Sequence, residues 1–263
     1  MPELPDAEVF RRRIARNGLH RRIETVRVSD ERLLDGISPS TVRRRLKGRE
    51  MESTRRHGKH VFVELSEGQG WLRLHFGMTG TIRVLKEGDE RPDHVKLQLD
   101  FPGGRSLAYT NTRTFGRIGL ADDVGTFVEE KHLGPDALRE LDLSRFRRLM
   151  GGKSIKATLM DQSAVAGLGN VYTDETLFQA GLYPGARADR LRDGTVEALY
   201  RAMRRVLEKA IEAGADPEAM PDDFLLPNRG AGGACPRCGR GLRTEKIAGR
   251  MTYFCPHDQR RKQ

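Results

Sequence analysis

Two groups of residues in this 263-residue chain have the types and spacing to do chemistry, and they stand at opposite ends. At the start, Pro2 is followed by Glu3. With Met1 removed, Pro2 carries a free secondary amine. A free α-amino group titrates near pH ~8, so an unprotonated fraction exists at neutral pH and can attack an electrophilic carbon to form an iminium. Glu3 sets a carboxylate beside that amine. The same residues also read as a stiff lead-in, with Pro5 in the first turn of a helix from about Asp6 to Arg16 and Gly18 just past its end. At the other end the chain reads Cys235-Pro236-Arg237-Cys238, sixteen further residues, then Cys255-Pro256-His257-Asp258. Two knuckles at that separation have the spacing of a zinc ribbon, two short strands whose ends a tetrahedral metal clamps. All three cysteines lie here, and their crowding and odd count suit a metal site better than a disulfide framework. The fourth position is Asp258, with His257 beside it. Either side chain binds zinc, and register favours Asp258. A hairpin that folds without metal is the plainer alternative.

Between these ends lie loops with a consistent character. Gly167-Leu168-Gly169-Asn170 separates two helical stretches, and Asn170 as the cap of the second would present free N–H groups to an anion such as a DNA phosphate. A simple capped turn has the same residues. Arg56-His57-Gly58-Lys59-His60 is a basic turn, His75-Phe76-Gly77-Met78-Thr79-Gly80 follows a strand, and Asn111-Thr112-Arg113-Thr114-Phe115-Gly116 forms a third loop. Each is compatible with an ordinary turn. Apolar wedges such as Met78 and Phe115 beside Arg113 are also what fills the gap left when a nucleotide is flipped out of a duplex.

The elements that must position these residues change character midway. From 25 to 120 the pattern has period two, with Val61, Val63 and Leu65, then Leu72 and Leu74, then Val95, Leu97 and Leu99 alternating with polar or outward positions. Turn residues at Glu67-Gly68, Lys86–Asp89 and Pro102–Gly104 punctuate about eight antiparallel strands, which predicts a sandwich or flattened barrel. A short basic helix interrupts them near Ser40–Lys47. The pattern loosens around Ala121–Asp136, and helical spacing follows near Leu143–Met150, Ile155–Asp161, Val171–Ala180 and Thr195–Ala213. In the last of these Leu199, Met203, Val206, Leu207, Ala210 and Ile211 form one apolar stripe, read as core. Ala215–Ala234, rich in Pro, Gly and Asp, reads as a loop into the cysteine unit. The expected class is α+β, with domains over 1–125, 126–228 and 229–263.

The chain carries 47 Lys+Arg against 37 Asp+Glu, a formal charge of +10, which favours a polyanionic partner because guanidinium forks match phosphate oxygens. No apolar run approaches the ~18 residues of a membrane span, and the start lacks the apolar segment of a signal peptide. The expectation is an intracellular, cytoplasmic protein, acting as a monomer without membrane contact.

Taken together, Pro2-Glu3-Leu4-Pro5, His75–Gly80, Leu133-Gly134-Pro135, Gly167–Asn170 and the cysteine hairpin resemble, in order and over nearly the whole chain, the formamidopyrimidine-DNA glycosylase and endonuclease VIII family. The resemblance implies an N-terminal β-sandwich with a leading helix, a helix-two-turn-helix module and a zinc-finger hairpin, with damaged double-stranded DNA held between the domains. It implies that Pro2 attacks C1′ of the damaged nucleotide, that Glu3 handles ribose protons, and that Lys59 holds a phosphate near the lesion. Asn170 and Arg250 would clamp the backbone, and Met78, Arg113 and Phe115 would fill the void and face the orphaned base. Strand cleavage by β,δ-elimination would follow, and one zinc ion, held by Cys235, Cys238, Cys255 and Asp258, would be structural. Three departures stand out. Asp6 replaces the usual glutamate. Thr112 and Thr114 replace the proline and second arginine of Asp-Pro-Arg-Arg-Phe-Gly. The 215–233 stretch does not match the loop that covers 8-oxoguanine. Oxidised purines, oxidised pyrimidines, and a non-catalytic protein that binds damaged DNA are therefore the readings to separate.

Overall fold

The computed structural model describes residues 1–260, and the chain divides into two compact units. The first comprises Met1–Pro2 and Asp6–His132, the second Glu3–Pro5 and the chain from Leu133 onward.

The first unit contains α1 (Leu4–Gly18, of which Leu4 and Pro5 belong to the second unit), β1 (Thr25–Val28), α2 (Pro39–Leu46), β2 (Met51–His57), β3 (His60–Leu65), β4 (Trp71–His75), β5 (Thr81–Leu85), β6 (Val95–Phe101), β7 (Arg105–Thr110), β8 (Arg117–Ala121) and α3 (Val124–Glu130). The eight strands form two antiparallel four-stranded sheets, ordered β1-β6-β7-β5 and β2-β3-β4-β8. One apolar core joins them: Val61, Val63, Leu72 and Leu74 from one sheet, Leu97, Leu99, Leu107 and Ile82 from the other, with Phe10 and Ile14 of α1 and Val42 and Leu46 of α2. This is the sandwich the period-two pattern predicts. Alternation fails at β3, where Val61, Phe62 and Val63 are all buried, because α3 covers the second face and sets Phe127 5.5 Å from the Phe62 ring. Helix α3 falls in the stretch where periodicity loosens. Its local signal is Asp123, whose carboxylate accepts the Thr126 N–H at its N-terminus.

The second unit contains α4 (Leu143–Arg148), α5 (Ile155–Met160), α6 (Asn170–Gln179), α7 (Asp193–Glu212) and the hairpin β9 (Arg243–Ile247) and β10 (Arg250–Phe254). In α7, Leu199, Met203, Val206, Leu207 and Ala210 are fully buried against Leu159, Leu168, Leu177 and Phe224, and Ile211 packs at the edge. Leu199, Met203, Val206 and Leu207 each contribute roughly 1.5–3 kcal/mol of burial free energy. The hairpin turns on Ala248 and Gly249, both left-handed (φ 51° and 72°), which matches the twist of a two-residue connection. The 215–234 segment contains two short 3-10 turns, Pro217–Ala219 and Leu226–Asn228. The fold is thus α+β: a leading helix with two antiparallel sheets, a helical region, and a C-terminal cysteine hairpin.

Candidate functional site

Glu3 is fully buried, and its partners lie 166 to 169 residues away in sequence. Its Oε2 accepts the Gly169 N–H at 2.6 Å and the Tyr172 N–H at 3.3 Å, while Oε1 accepts the Val171 N–H at 2.8 Å. The expectation for this turn is corrected in two respects. The cap of α6 is Gly169, with Asn170 its first helical residue, and the anion on the helix N-terminus is Glu3 of the same chain. A helix start carries unsatisfied N–H groups, so the three bonds to the backbone hold this carboxylate in place. Gly169 must be glycine for this approach, since a Cβ there would stand 2.5 Å from the Glu3 carboxyl carbon. Leu4 N–H donates to Gly167 O at 3.1 Å and secures the backbone that follows Glu3. Pro2 is half-buried and adjoins Glu3 through one peptide bond.

Asn170 does different work from a cap. Its Nδ2 donates to Met251 O at 2.9 Å, joining the start of α6 to strand β10 one residue from the exposed Arg250. The two residues expected to clamp the backbone, Asn170 and Arg250, thus stand on segments joined by a hydrogen bond one residue from Arg250. Beneath it lies a buried charge cluster that spacing did not predict. Lys156 donates to Asp174 Oδ1 at 2.5 Å and to Thr252 Oγ1 at 2.7 Å, and Arg229 reaches Asp174 Oδ2 at 2.8 Å while lying over the Tyr253 ring. Lys156 and Asp174 are completely buried. Burial lowers the pKa of Lys156, and Asp174 opposes that shift, as does Glu3. The next residue, Glu175, is buried too and accepts the Leu225 and Leu226 N–H groups at 3.2 and 2.8 Å. The 215–234 segment is thus fastened to α6 by two consecutive carboxylates. The only hint in the sequence is an adjacent acidic pair inside an otherwise uncharged helix.

In the first unit, Met78 (39% exposed) and Phe115 (58% exposed) are two of only four large apolar side chains presented to solvent among the described residues. They lie on the β4–β5 and β7–β8 loops, and the exposed Arg113 shares the second loop with Phe115. Lys59 follows Gly58 in the two-residue turn between β2 and β3. That turn is supported from within: Arg56 donates to Gly58 O at 3.0 Å and to Glu8 Oε2 at 3.3 Å. Burial raises the pKa of Glu8, but Arg11, Arg12 and Arg56 together hold the carboxyl down to about 2. The half-buried His75 ring is kept neutral, its pKa lowered to about 4 by desolvation and then by Lys59 and Arg73.

At the C-terminal hairpin, one ligand atom each from Cys235, Cys238, Cys255 and Asp258 lies within 4.8 Å of all the others. Cys238 Sγ and Cys255 Sγ are 3.6 Å apart, and sulfurs at ~2.3 Å from a tetrahedral zinc stand about 3.8 Å apart, so the group fits that ion. The Asp258 carboxyl is held down to about 2, first by the hydrogen bond from the Cys235 thiol. His257 lies outside the four and faces Asp258 Oδ1 through Nδ1 at 3.3 Å. The set suits one structural zinc ion, with aspartate in the fourth position.

A sandwich with a leading helix, a helix pair whose turn receives the Glu3 carboxylate, and a three-cysteine hairpin define the architecture. Comparison with known proteins gives the family. Residues 1–118 match the formamidopyrimidine-DNA glycosylase N-terminal domain, 133–220 the formamidopyrimidine-DNA glycosylase H2TH domain, and 232–261 the zinc finger found in FPG and IleRS. The formamidopyrimidine-DNA glycosylase of Halorhodospira halophila is 36% identical over 275 residues, covering 99% of this chain and 100% of the relative. That of Carboxydothermus hydrogenoformans is 33% identical with the same coverage. Among solved structures, Lactococcus lactis Fpg bound non-covalently to DNA containing an AP site superposes with a TM-score of 0.87 at 29% identity, over 98% of this chain and 100% of that one. MutM in complex with DNA containing carbocyclic 8-oxo-G gives 0.85 at 29% identity, over 99% and 100%. The chain belongs to the formamidopyrimidine-DNA glycosylase family; it is a DNA glycosylase with a zinc finger. No helix of the described residues is long and apolar enough to cross a membrane.

Proposed function

We propose that the chain excises oxidised purines of the 8-oxoguanine and formamidopyrimidine type from duplex DNA and then cleaves the strand, with Pro2 as nucleophile. The observation that carries this reading is the buried Glu3 carboxylate, locked by three backbone N–H groups one residue from Pro2. Catalytic groups gain most from being held before substrate arrives. The Pro2 amine attacks C1′, the bond from C1′ to the base breaks, and the base leaves with the electron pair and takes up a proton. Glu3 carries protons to and from the ribose oxygen as the ring opens to the iminium. The iminium acidifies the C2′ proton; its loss expels the 3′ phosphate, and a second elimination expels the 5′ phosphate. Lys59 holds a phosphate near the lesion, Asn170 and Arg250 grip the backbone at the extruded nucleotide, and Met78, Arg113 and Phe115 fill the void. The protein acts as an intracellular monomer, and zinc serves only to fold the finger.

Two facts support this reading over a non-catalytic one: relatives named for the activity match over essentially full length, and Pro2 and Glu3 are both present. The 215–233 stretch, which does not match the loop that covers 8-oxoguanine, keeps oxidised pyrimidines as the second reading. The deciding experiment is borohydride trapping on a panel of duplexes carrying different lesions opposite cytosine or adenine, with the adduct mass measured. The expected result is a covalent complex at the Pro2 peptide, strongest for oxidised purines. Absence of any adduct from protein lacking Met1 would overturn the proposal, and strongest trapping on oxidised pyrimidines would transfer it to the second reading. Protein retaining Met1 should not trap, because its Pro2 nitrogen is an amide.

A further inference from the structure

The two loops bearing Met78, Arg113 and Phe115 are not independent. Asn111 is 1% exposed, and its Nδ2 lies 3.1 Å from Phe76 O, an atom that can only accept, so the amide donates there. The same nitrogen donates to Tyr109 Oη at 3.0 Å, and Tyr109 in turn donates to His75 O at 3.0 Å. This leaves Asn111 Oδ1 as an acceptor, and Thr79 Oγ1 donates to it at 3.2 Å. The Thr79 oxygen then accepts the Arg113 N–H at 3.0 Å. Every proton in the chain has a single consistent direction. It runs from the backbone of Arg113, through the residue after Met78, to the carbonyls that end β4.

We infer that Thr79, Asn111 and Tyr109 are positioning residues that clasp the two void-filling loops into one rigid wedge. Two further observations support the clasp. Gly77 sits directly against the other loop, where a Cβ would stand 2.5 Å from the Phe115 carbonyl carbon. Thr114, between Arg113 and Phe115, is left-handed at φ 53°, a conformation costly for a β-branched residue that persists only where its surroundings hold it. The clasp on the Arg113 N–H and the abutment at Phe115 brace that residue from both sides. The loop that departs from the family pattern thus keeps a defined shape by side-chain bonds. Rigidity matters because a wedge must replace a base's stacking when the nucleotide leaves, and ordering a loose loop at that moment weakens the gain.

The inference rests on the proposed void-filling role, and its test separates the two. A duplex with a tetrahydrofuran abasic analogue opposite 2-aminopurine needs binding only; the fluorescence of 2-aminopurine reports how the orphaned base is stacked. Wild type should change that fluorescence on binding. Thr79→Val, which keeps the shape and removes the hydroxyl, should lose most of the change while binding the duplex, and should lower kcat on a lesion roughly tenfold with KM little altered, as loss of about one or two hydrogen bonds implies. Thr79→Ser should restore both. Thr79→Ala gives the same reading if the valine variant folds poorly, and thermal melting checks each. A Thr79→Val protein that matches wild type in fluorescence and kcat would overturn the clasp, whereas wild type giving no fluorescence change would overturn the void-filling role on which it rests. Failure of trapping with an intact fluorescence response would instead strike the nucleophile assignment alone.

Discussion

Glu8 in the first unit and Glu175 in the second are both buried glutamates on helices, and burial raises the pKa of each, yet they settle on opposite sides of the ordinary range. Glu8 has Arg11, Arg12 and Arg56 as partners and is held down to about 2. Glu175 has Gln179 and two backbone N–H groups as its bonded partners, with Arg237 only a lesser opposing charge, and is pushed up to about 7. Neutral donors stabilise a carboxylate, but they do not offset its desolvation as a guanidinium does. The comparison bears on the proposed function because each carboxylate supports a segment to which that proposal gives a role. Glu8 holds Arg56, which holds the turn of Lys59; Glu175 holds the segment leading into the finger. Asp258 is a third case, paired with a thiol and suited to a dication.

The largest effect that would sharpen this contrast is expected at the metal. Binding of structural zinc is worth on the order of 10 kcal/mol in finger peptides, so Asp258→Ala should reduce zinc content and lower the finger's resistance to a chelator, while His257→Ala leaves both unchanged. Zinc measured per protein after dialysis decides it, and the reverse pattern would move the fourth ligand to His257. Next comes Glu8→Gln. A depressed carboxylate contributes stability that is complete above its unfolded pKa of 4.5 and lost as pH falls through about 2. The variant should therefore be less stable than wild type by about 3 kcal/mol near neutrality, with the gap closing between pH 4.5 and 2, as read by urea unfolding. A constant gap would mean that the arginines do not hold the charge.

Glu175→Gln should have the smallest effect and the opposite sign. A raised carboxyl costs nothing below pH 4.5, and its penalty grows as pH rises to about 7. The variant should match wild type in acid and gain stability above neutrality, by at most about 3 kcal/mol because glutamine still offers an oxygen to the two N–H groups. Equal pH profiles for the two proteins would break the comparison. A gain at pH 8 with slower proteolysis after Arg229 would tie the effect to the fastened segment.

Legibility in the sequence followed the range of the interaction. The strands of the first unit, the stripe of α7 and the knuckles around Cys235 and Cys255 were readable because period and spacing are local properties of the chain. Helix α3 leaves no such signal because its seven residues bury only Val124 and Phe127, too few for a period. Asn170 has the residue type of a cap, but residue type does not reveal which anion occupies a helix start. That occupant, Glu3, lies more than 160 residues away.

The sequence by itself determined the class of fold, the composition of the finger, and a proline at the second position beside a carboxylate. The tertiary structure decided what holds those groups: Glu3 on the N-terminus of α6, Lys156 and Arg229 around Asp174, and the bonds through Thr79 and Asn111 that join two loops. The physical reason is that hydrogen bonds and ion pairs of buried groups depend on distances of a few tenths of an ångström between chain segments far apart in sequence. Hydrophobic period records only which side of an element turns inward.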